Sequence, residues 1–116
     1  MDKIEKKKTI FCDIDGTIFR YRKFETYETS PAEVIESTSN QLNVWDSGGH
    51  HIVLTTARPE YLREHTIKEL KTNSIPYHQL VMGIGRGTRI LINDRDVDGM
   101  EDRAIAVNLI RDKGIQ

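Results

Sequence analysis

A single cysteine, Cys12, among 116 residues leaves no partner for an internal disulfide and no set of thiols for a zinc site. Aromatic side chains make up only 7% of the chain, too few for a platform on which nucleic-acid bases would stack. Acidic and basic residues nearly cancel, 18 against 17, and the net charge of -1 gives no pull toward nucleic acid or an anionic membrane. No apolar stretch is long enough to span a bilayer, and the first residues are too polar for a secretory signal. The expectation is a cytoplasmic chain with neither nucleic-acid nor membrane partners. His50, His51, His65 and His78 form no i,i+4 helical pair and so offer no transition-metal pattern. Lys6-Lys7-Lys8 reads as a solvated charge run ahead of the first strand.

What is present is an alternation of strand-like and helix-like segments. The length suits one domain, residues 1–116, able to bury roughly two thirds of the surface that its unfolded form exposes. Residues 8–14 read as a buried strand rich in Ile, Phe and Thr, and residues 18–29 as an irregular loop or small hairpin. Ser30-Pro31-Ala32-Glu33 carries the marks of a helix start, with Ser30 as N-cap and Pro31 at the first helical position. Val34, Ile35, Leu42 and Trp45 would be its buried stripe and Gly48-Gly49 its end. A second strand follows at 50–56, then a helix from Pro59 to near Asn73 carrying Leu62, Ile67 and Leu70. A third strand is expected at 79–82, a loop punctuated by Gly83, Gly85 and Gly87, and further strands at 89–92 and 104–109. Apolar runs without alternation, spaced by amphipathic helices, predict an α/β sandwich whose central, mostly parallel sheet of about five strands is covered on both faces.

Such sheets bind ligands beyond the C-terminal ends of their strands. Polar residues gather at those ends: Asp13 and Asp15 after the first strand, Thr55-Thr56 after the second, Asn93-Asp94 after the fourth. In a strand, residues i and i+2 point the same way, so both carboxylates of Asp13-Ile14-Asp15 can face one small volume. Two negative charges there call for a cation or a shared proton. One carboxylate free to attack, another able to carry a proton and a metal to hold them would equip the site for phosphoryl transfer. Gly16 permits a tight turn, and its N–H can join those holding a phosphate. Cys12, one residue before Asp13, should point to the opposite face as a buried structural thiol. Gly83-x-Gly85-x-Gly87 lacks the spacing of a dinucleotide-binding turn.

Asp13-Ile14-Asp15-Gly16-Thr17, Leu54-Thr55-Thr56-Ala57-Arg58 and Ile92-Asn93-Asp94 with Asp96 and Asp98 follow one another in the chain. Together they resemble the first, second and fourth motifs of the haloacid dehalogenase (HAD) superfamily, over nearly the whole length. The resemblance implies a Rossmann-like three-layer sandwich in which Asp13 is the nucleophile that forms an aspartyl-phosphate. Asp15 would be the general acid and then the base. Mg²⁺ would be held by the Asp13 carboxylate, the Asp15 backbone carbonyl and Asp94, with Asp98 and Asn93 behind them. Asn93 stands where the family frequently has Asp, which removes one negative charge. Phosphate would be bound by Gly16, Thr56 and Ala57, with Thr55 as the one-residue alternative to Thr56.

The third motif normally supplies a Lys, and none lies between Lys71 and the fourth motif. Arg86 is the candidate in its place and Arg89 the alternative. Arg20, Arg22 and Lys23 fall where the family has a mobile flap and read as a solvated face. Arg58 would either touch substrate or cap the next helix. The intervals between motifs are too short for a cap domain, which implies a capless, minimal member with an open site. A homo-oligomer could cover that site, or a large substrate could fill it. The segment from Gly49 onward, with Ile75-Pro76-Tyr77 and the run from Ala104 to Gly114, is similar to small phosphatases of bacterial surface-polysaccharide synthesis. A small phosphorylated metabolite, in particular a sugar phosphate, is therefore the implied substrate. The alternatives are a HAD-like binding or regulatory module with little turnover and a phosphatase of a macromolecular substrate.

Overall fold

Thr9, Ile10 and Phe11 favour an extended, half-buried backbone, and they open strand β1 (Thr9–Asp13). Helix α1 (Glu36–Ser47), strand β2 (His51–Thr55), helix α2 (Arg63–Thr72) and strand β3 (Gln79–Val81) follow. This computed structural model describes residues 6–116; residues 1–5, on which part of the expectation about a secretory signal rests, lie outside the described residues. β1 runs parallel to β2, with Thr9 opposite His51 and Asp13 opposite Thr55. β2 runs parallel to β3, with Val53 opposite Gln79 and Thr55 opposite Val81. The order β1-β2-β3 places β2 at the centre of a parallel, Rossmann-like α/β sheet. No helix among the described residues is long and apolar enough to cross a membrane.

The register sets Ile10, Cys12, Ile52, Leu54 and Leu80 on one face of the sheet, where Leu42 of α1 and Leu70 of α2 pack against them. Each fully buried Leu or Ile of this set contributes about 1.5–3 kcal/mol. Both crossovers step the same way across the sheet, and right-handed connections of that kind leave both helices on one side. On the opposite face Val53 is buried, but Phe11 is 60% exposed. The described helices thus cover one face of the sheet rather than the two expected.

Three strands form among the described residues, fewer than the five expected. Residues 89–92 and 104–109 are not strands, and Ile90, Ile92, Ile105 and Val107 remain largely exposed. β-branched residues favour a strand only where a neighbour offers a free edge in a matching register, and a local pattern cannot supply that neighbour. β1 accordingly ends the sheet, with no strand on its outer edge among the described residues.

The start of α1 also differs. The Ser30 hydroxyl donates to Thr26 O at 2.7 Å instead of capping a helix. Residues 31–35 run extended: the Arg20 N–H donates to Glu33 O at 2.8 Å and the Ile35 N–H to Ile18 O at 2.7 Å. A pairing that satisfies backbone groups on both segments has outweighed the local capping signal. Helix α1 then buries Thr38 and Leu42. It stops where expected, with Gly49 at φ +81°. Lys6, Lys7 and Lys8 are exposed, and Lys7 Nζ donates to Gly48 O at 2.7 Å, a cation at the helix C-terminus. In α2, Ile67 turns out to be 39% exposed, and Thr66 is buried instead. That rotation turns a polar edge of the helix inward.

Candidate active site

β1 carries Asp13 to the C-terminal edge of the sheet, and Gly16, at φ +88°, turns the chain back on itself. The turn is closed by the Gly16 N–H donating to Phe19 O at 2.7 Å and the Ile18 N–H to Ile14 O at 2.8 Å. Thr17 Oγ1 donates to Asp13 Oδ2 at 3.2 Å. Asp13 stays open to solvent, yet the protein packed around its carboxyl strips part of its hydration and raises its pKa above the ordinary value. The Thr17 hydrogen bond opposes this rise, the charge of Asp15 adds to it, and Arg89 offsets it in part. A carboxylate with this balance gains from any cation brought beside it.

Asp15 has a different environment. Arg58 Nε donates to its Oδ2 at 2.9 Å and Arg58 Nη2 to its Oδ1 at 2.8 Å, a bidentate pair with Arg58 1% exposed. Arg58 Nη1 continues to Thr66 Oγ1 at 3.0 Å and to Glu69 Oε1 at 2.8 Å. Its guanidinium also lies 4.4 Å from the centre of the Tyr27 ring. Burial alone would lower the Arg58 pKa, but the hydrogen bonds and charges of Asp15 and Glu69 raise it on balance. Arg58 is thus neither a helix cap nor a free substrate contact: its charge is spent on holding Asp15.

Glu69 extends this chain of charges. It accepts from Arg22 Nη1 at 2.8 Å and Arg22 Nη2 at 3.0 Å, and His65 Nε2 stands 3.3 Å away. Arg22 is itself buried, with Nη1 also donating to Ser30 O at 2.9 Å. The expected solvated flap is therefore tied down at Arg22, while Arg20 and Lys23 remain exposed. Burial pushes the Glu69 pKa up, but the hydrogen bonds from Arg22 and Arg58 outweigh it and leave it below the ordinary glutamate value. The sign follows: stability from Glu69 is present above that ordinary value and is lost as pH falls through the lowered one. In acid unfolding followed by circular dichroism, Glu69→Gln is expected to start less stable near neutrality. It should also lose less on acidification than the wild type. Parallel curves would show that Glu69 does not govern the acid limb.

The two carboxylates open onto a cavity of about 130 Å³ lined by Thr56, Ala57, Arg86, Arg89, Tyr21 and Tyr27 as well as Arg58. Burial and the charge of Asp15 push the Tyr27 phenol up to about 12, so it stays protonated. A second cavity of about 310 Å³ shares Asp13 and Asp15 and is walled by Gly16, Thr17, Leu109 and Arg111. The structure thus brings together Asp13, Asp15, Gly16, Thr56, Ala57 and Arg86, and Arg89 beside them. Both arginines line the cavity, so position alone does not choose between them. Thr55 sits opposite Asp13 in the sheet and does not line either cavity.

The acidic segment lies elsewhere. Asp94 is 72% exposed and pairs with Arg103 at 3.3 Å. Asn93 Nδ2 donates to Arg103 O at 3.3 Å, and Asp98 is exposed. Among the described residues no three His, Cys, Asp or Glu side chains converge as a metal site. Cys12 is buried as expected, and burial followed by the charge of Asp13 pushes its thiol up to about 12.

Residues 10–105 match the haloacid dehalogenase-like hydrolase family. The chain belongs to that family. Among solved structures, this HAD-like hydrolase is similar to the crystal structure of a target protein from Vibrio cholerae, with 21% identity and a TM-score of 0.52. That likeness covers 78% of this chain and 82% of the other. A chain of the Pnkp1/Rnl/Hen1 complex is similar at 22% identity and a TM-score of 0.60, over 72% of this HAD-like hydrolase. The matched part is 30% of that longer chain. At these identities the likeness concerns the fold. No curated protein matches the sequence.

Proposed function

We propose that this HAD-like hydrolase is a phosphatase that cleaves a phosphomonoester through an aspartyl-phosphate on Asp13. The observation that carries this reading is the inequality of two neighbouring carboxylates. Asp13 is open to the cleft and accepts a hydrogen bond from Thr17 without a paired cation among the described residues, whereas Asp15 is fixed by the Arg58 guanidinium. Arg86 and Arg89 face the same cavity, and neither forms an ion pair among the described residues. Their charge is available for a phosphate.

An Asp13 oxygen attacks phosphorus, a new P–O bond forms, and the ester P–O bond breaks. The leaving oxygen takes a proton from Asp15. In the second half Asp15 accepts a proton from water, whose oxygen attacks the phosphoryl group and frees Asp13 and inorganic phosphate. Both Asp15 oxygens accept from Arg58, but each keeps a second lone pair, so one oxygen can carry the proton while Arg58 fixes the plane of the carboxyl. Thr56 and Ala57 line the same cavity as Arg86 and Arg89, but the Gly16 N–H is given to Phe19 O and the Thr56 N–H to Val81 O, so the backbone contact expected at Gly16 is already taken within the turn.

Mg²⁺ is the proposed cofactor, and the oxygen-only donors at the strand end, with the raised pKa of Asp13, fit a hard cation. The Asp13 carboxylate and the Asp15 carbonyl would hold it, whereas Asp94 pairs with Arg103 and lines neither cavity. Bound there, the ion would neutralise charge on the phosphoryl oxygens. The proposed substrate is a small phosphorylated metabolite of the sugar-phosphate type, met by a capless, cytoplasmic protein whose open cleft a second copy could cover. The test is phosphate release from sugar phosphates, nucleotides and an aryl phosphate, with MgCl₂ and with EDTA. Release that requires Mg²⁺ supports the reading. No release from any ester leaves a binding module as the better description.

A further inference from the structure

The second cavity, beside Asp13 and Asp15, is walled by a residue that the chemistry above does not use. Arg111 is exposed, forms no ion pair among the described residues, and lies with its guanidinium 4.1 Å from the centre of the Tyr21 ring. Its position is fixed from both sides. The next residue, Asp112, donates its N–H to Gly16 O at 2.8 Å and accepts the Tyr21 N–H on Oδ1 at 2.7 Å. Asp112 sits at φ 66°, a left-handed conformation that costs free energy for a residue with a side chain. Gly114 is packed so closely that an added Cβ would stand 2.2 Å from Ser37 Oγ. The stem of Arg111 passes over Gly16, its Cγ 3.2 Å from where a side chain at that position would begin. A strained, hydrogen-bonded turn thus presents an unpaired cation to the floor of the cleft.

We propose that Arg111 binds a second anionic group of the substrate, a carboxylate or a further phosphate carried on the leaving group. This inference rests on the phosphatase reading and narrows its substrate class. The division of charges supports it. Arg58 is consumed by Asp15 and Glu69, and Arg86 and Arg89 face the cavity that holds Thr56 and Ala57. Arg111 faces a separate volume of about 310 Å³ that shares only the two aspartates. A phosphoryl group on Asp13 would be served by the first set, leaving Arg111 for charge elsewhere in the substrate.

Matched ligands test this. Binding to Asp13→Asn protein in one MgCl₂ buffer is measured by calorimetry for 3-phosphoglycerate against glycerol 3-phosphate, and for fructose 1,6-bisphosphate against fructose 1-phosphate. The doubly anionic member of at least one pair should bind about tenfold or more tightly, the worth of a charge-assisted contact. The favoured pair tells carboxylate from phosphate. Arg111→Ala in the same background should erase that advantage, and Arg111→Lys should retain part of it. Equal binding within both pairs, or an advantage that survives Arg111→Ala, overturns the proposal. Turnover of the unsubstituted protein separates the two ideas. If both members of each pair are hydrolysed with equal kcat/KM, the phosphatase reading stands and the role of Arg111 falls. If nothing is hydrolysed but the binding advantage depends on Arg111, the second-anion site stands and the phosphatase reading falls.

Discussion

Asp13→Asn is expected to lower phosphate release by on the order of 10⁴-fold or more, because the amide removes the attacking oxygen without changing the shape of the site. The Asp13 carboxyl accepts a hydrogen bond from Thr17, which an amide oxygen can also accept. The substitution should therefore leave the fold intact, and binding of a phosphate ester should survive in the variant. The measurement is phosphate release under single-turnover conditions with enzyme in excess, beside a calorimetric titration of the same ester. Activity that persists in the Asn variant would remove the aspartyl-phosphate from the mechanism. Asp15→Asn makes an informative companion, since it keeps the nucleophile but cannot shuttle a proton. It should slow esters with poor leaving groups far more than an activated aryl ester.

Arg58→Ala is expected to cost about 3–5 kcal/mol of stability, as breaking a buried ion pair from one side does. The basis is the double engagement of one guanidinium. Arg58 is 1% exposed, Asp15 12% and Glu69 11%, so removing the arginine leaves two poorly hydrated carboxylates without their shared cation. Urea unfolding followed by tryptophan fluorescence would read the loss as a lower midpoint at unchanged slope. Arg58→Lys should recover only part of it, because one ammonium cannot bridge Asp15 in bidentate fashion and also reach Glu69. A loss below about 1 kcal/mol, the range of surface pairs, would show that the network is solvated in solution. Catalysis should suffer in both variants, since the plane of Asp15 is no longer fixed.

The parallel sheet and the cleft at its C-terminal edge were legible because the apolar runs of β1 and β2 are continuous and their polar residues stand at the strand ends. The roles around Asp15 were less so. Arg58 follows Thr56 and Ala57 directly, yet nothing local says that its guanidinium turns back to Asp15 rather than out to a ligand. Glu69 and Thr66, three apart on α2, look like ordinary surface residues until the helix is seen to rotate Ile67 outward. Arg22, Tyr27 and Arg111 come from connecting segments, whose paths depend on contacts distant in sequence. The same limit explains the boundary of α1, where Ser30 and Pro31 gave a sound capping pattern that pairing with residues 18–20 overrode. Residues 89–92 and 104–109 show the converse, a strand-like composition without a neighbour to pair with.

The chain Asp15–Arg58–Glu69–Arg22 has a consequence for how the site responds to its ionic surroundings. Mobile ions screen exposed charges over about 8 Å at physiological ionic strength and reach closed pairs far less. Arg86, Arg89 and Arg111 stand in water and so feel every change in salt, whereas the four linked side chains are shielded by the protein. Salt therefore acts on the capture of an anion and spares the geometry of the residue assigned to move the proton.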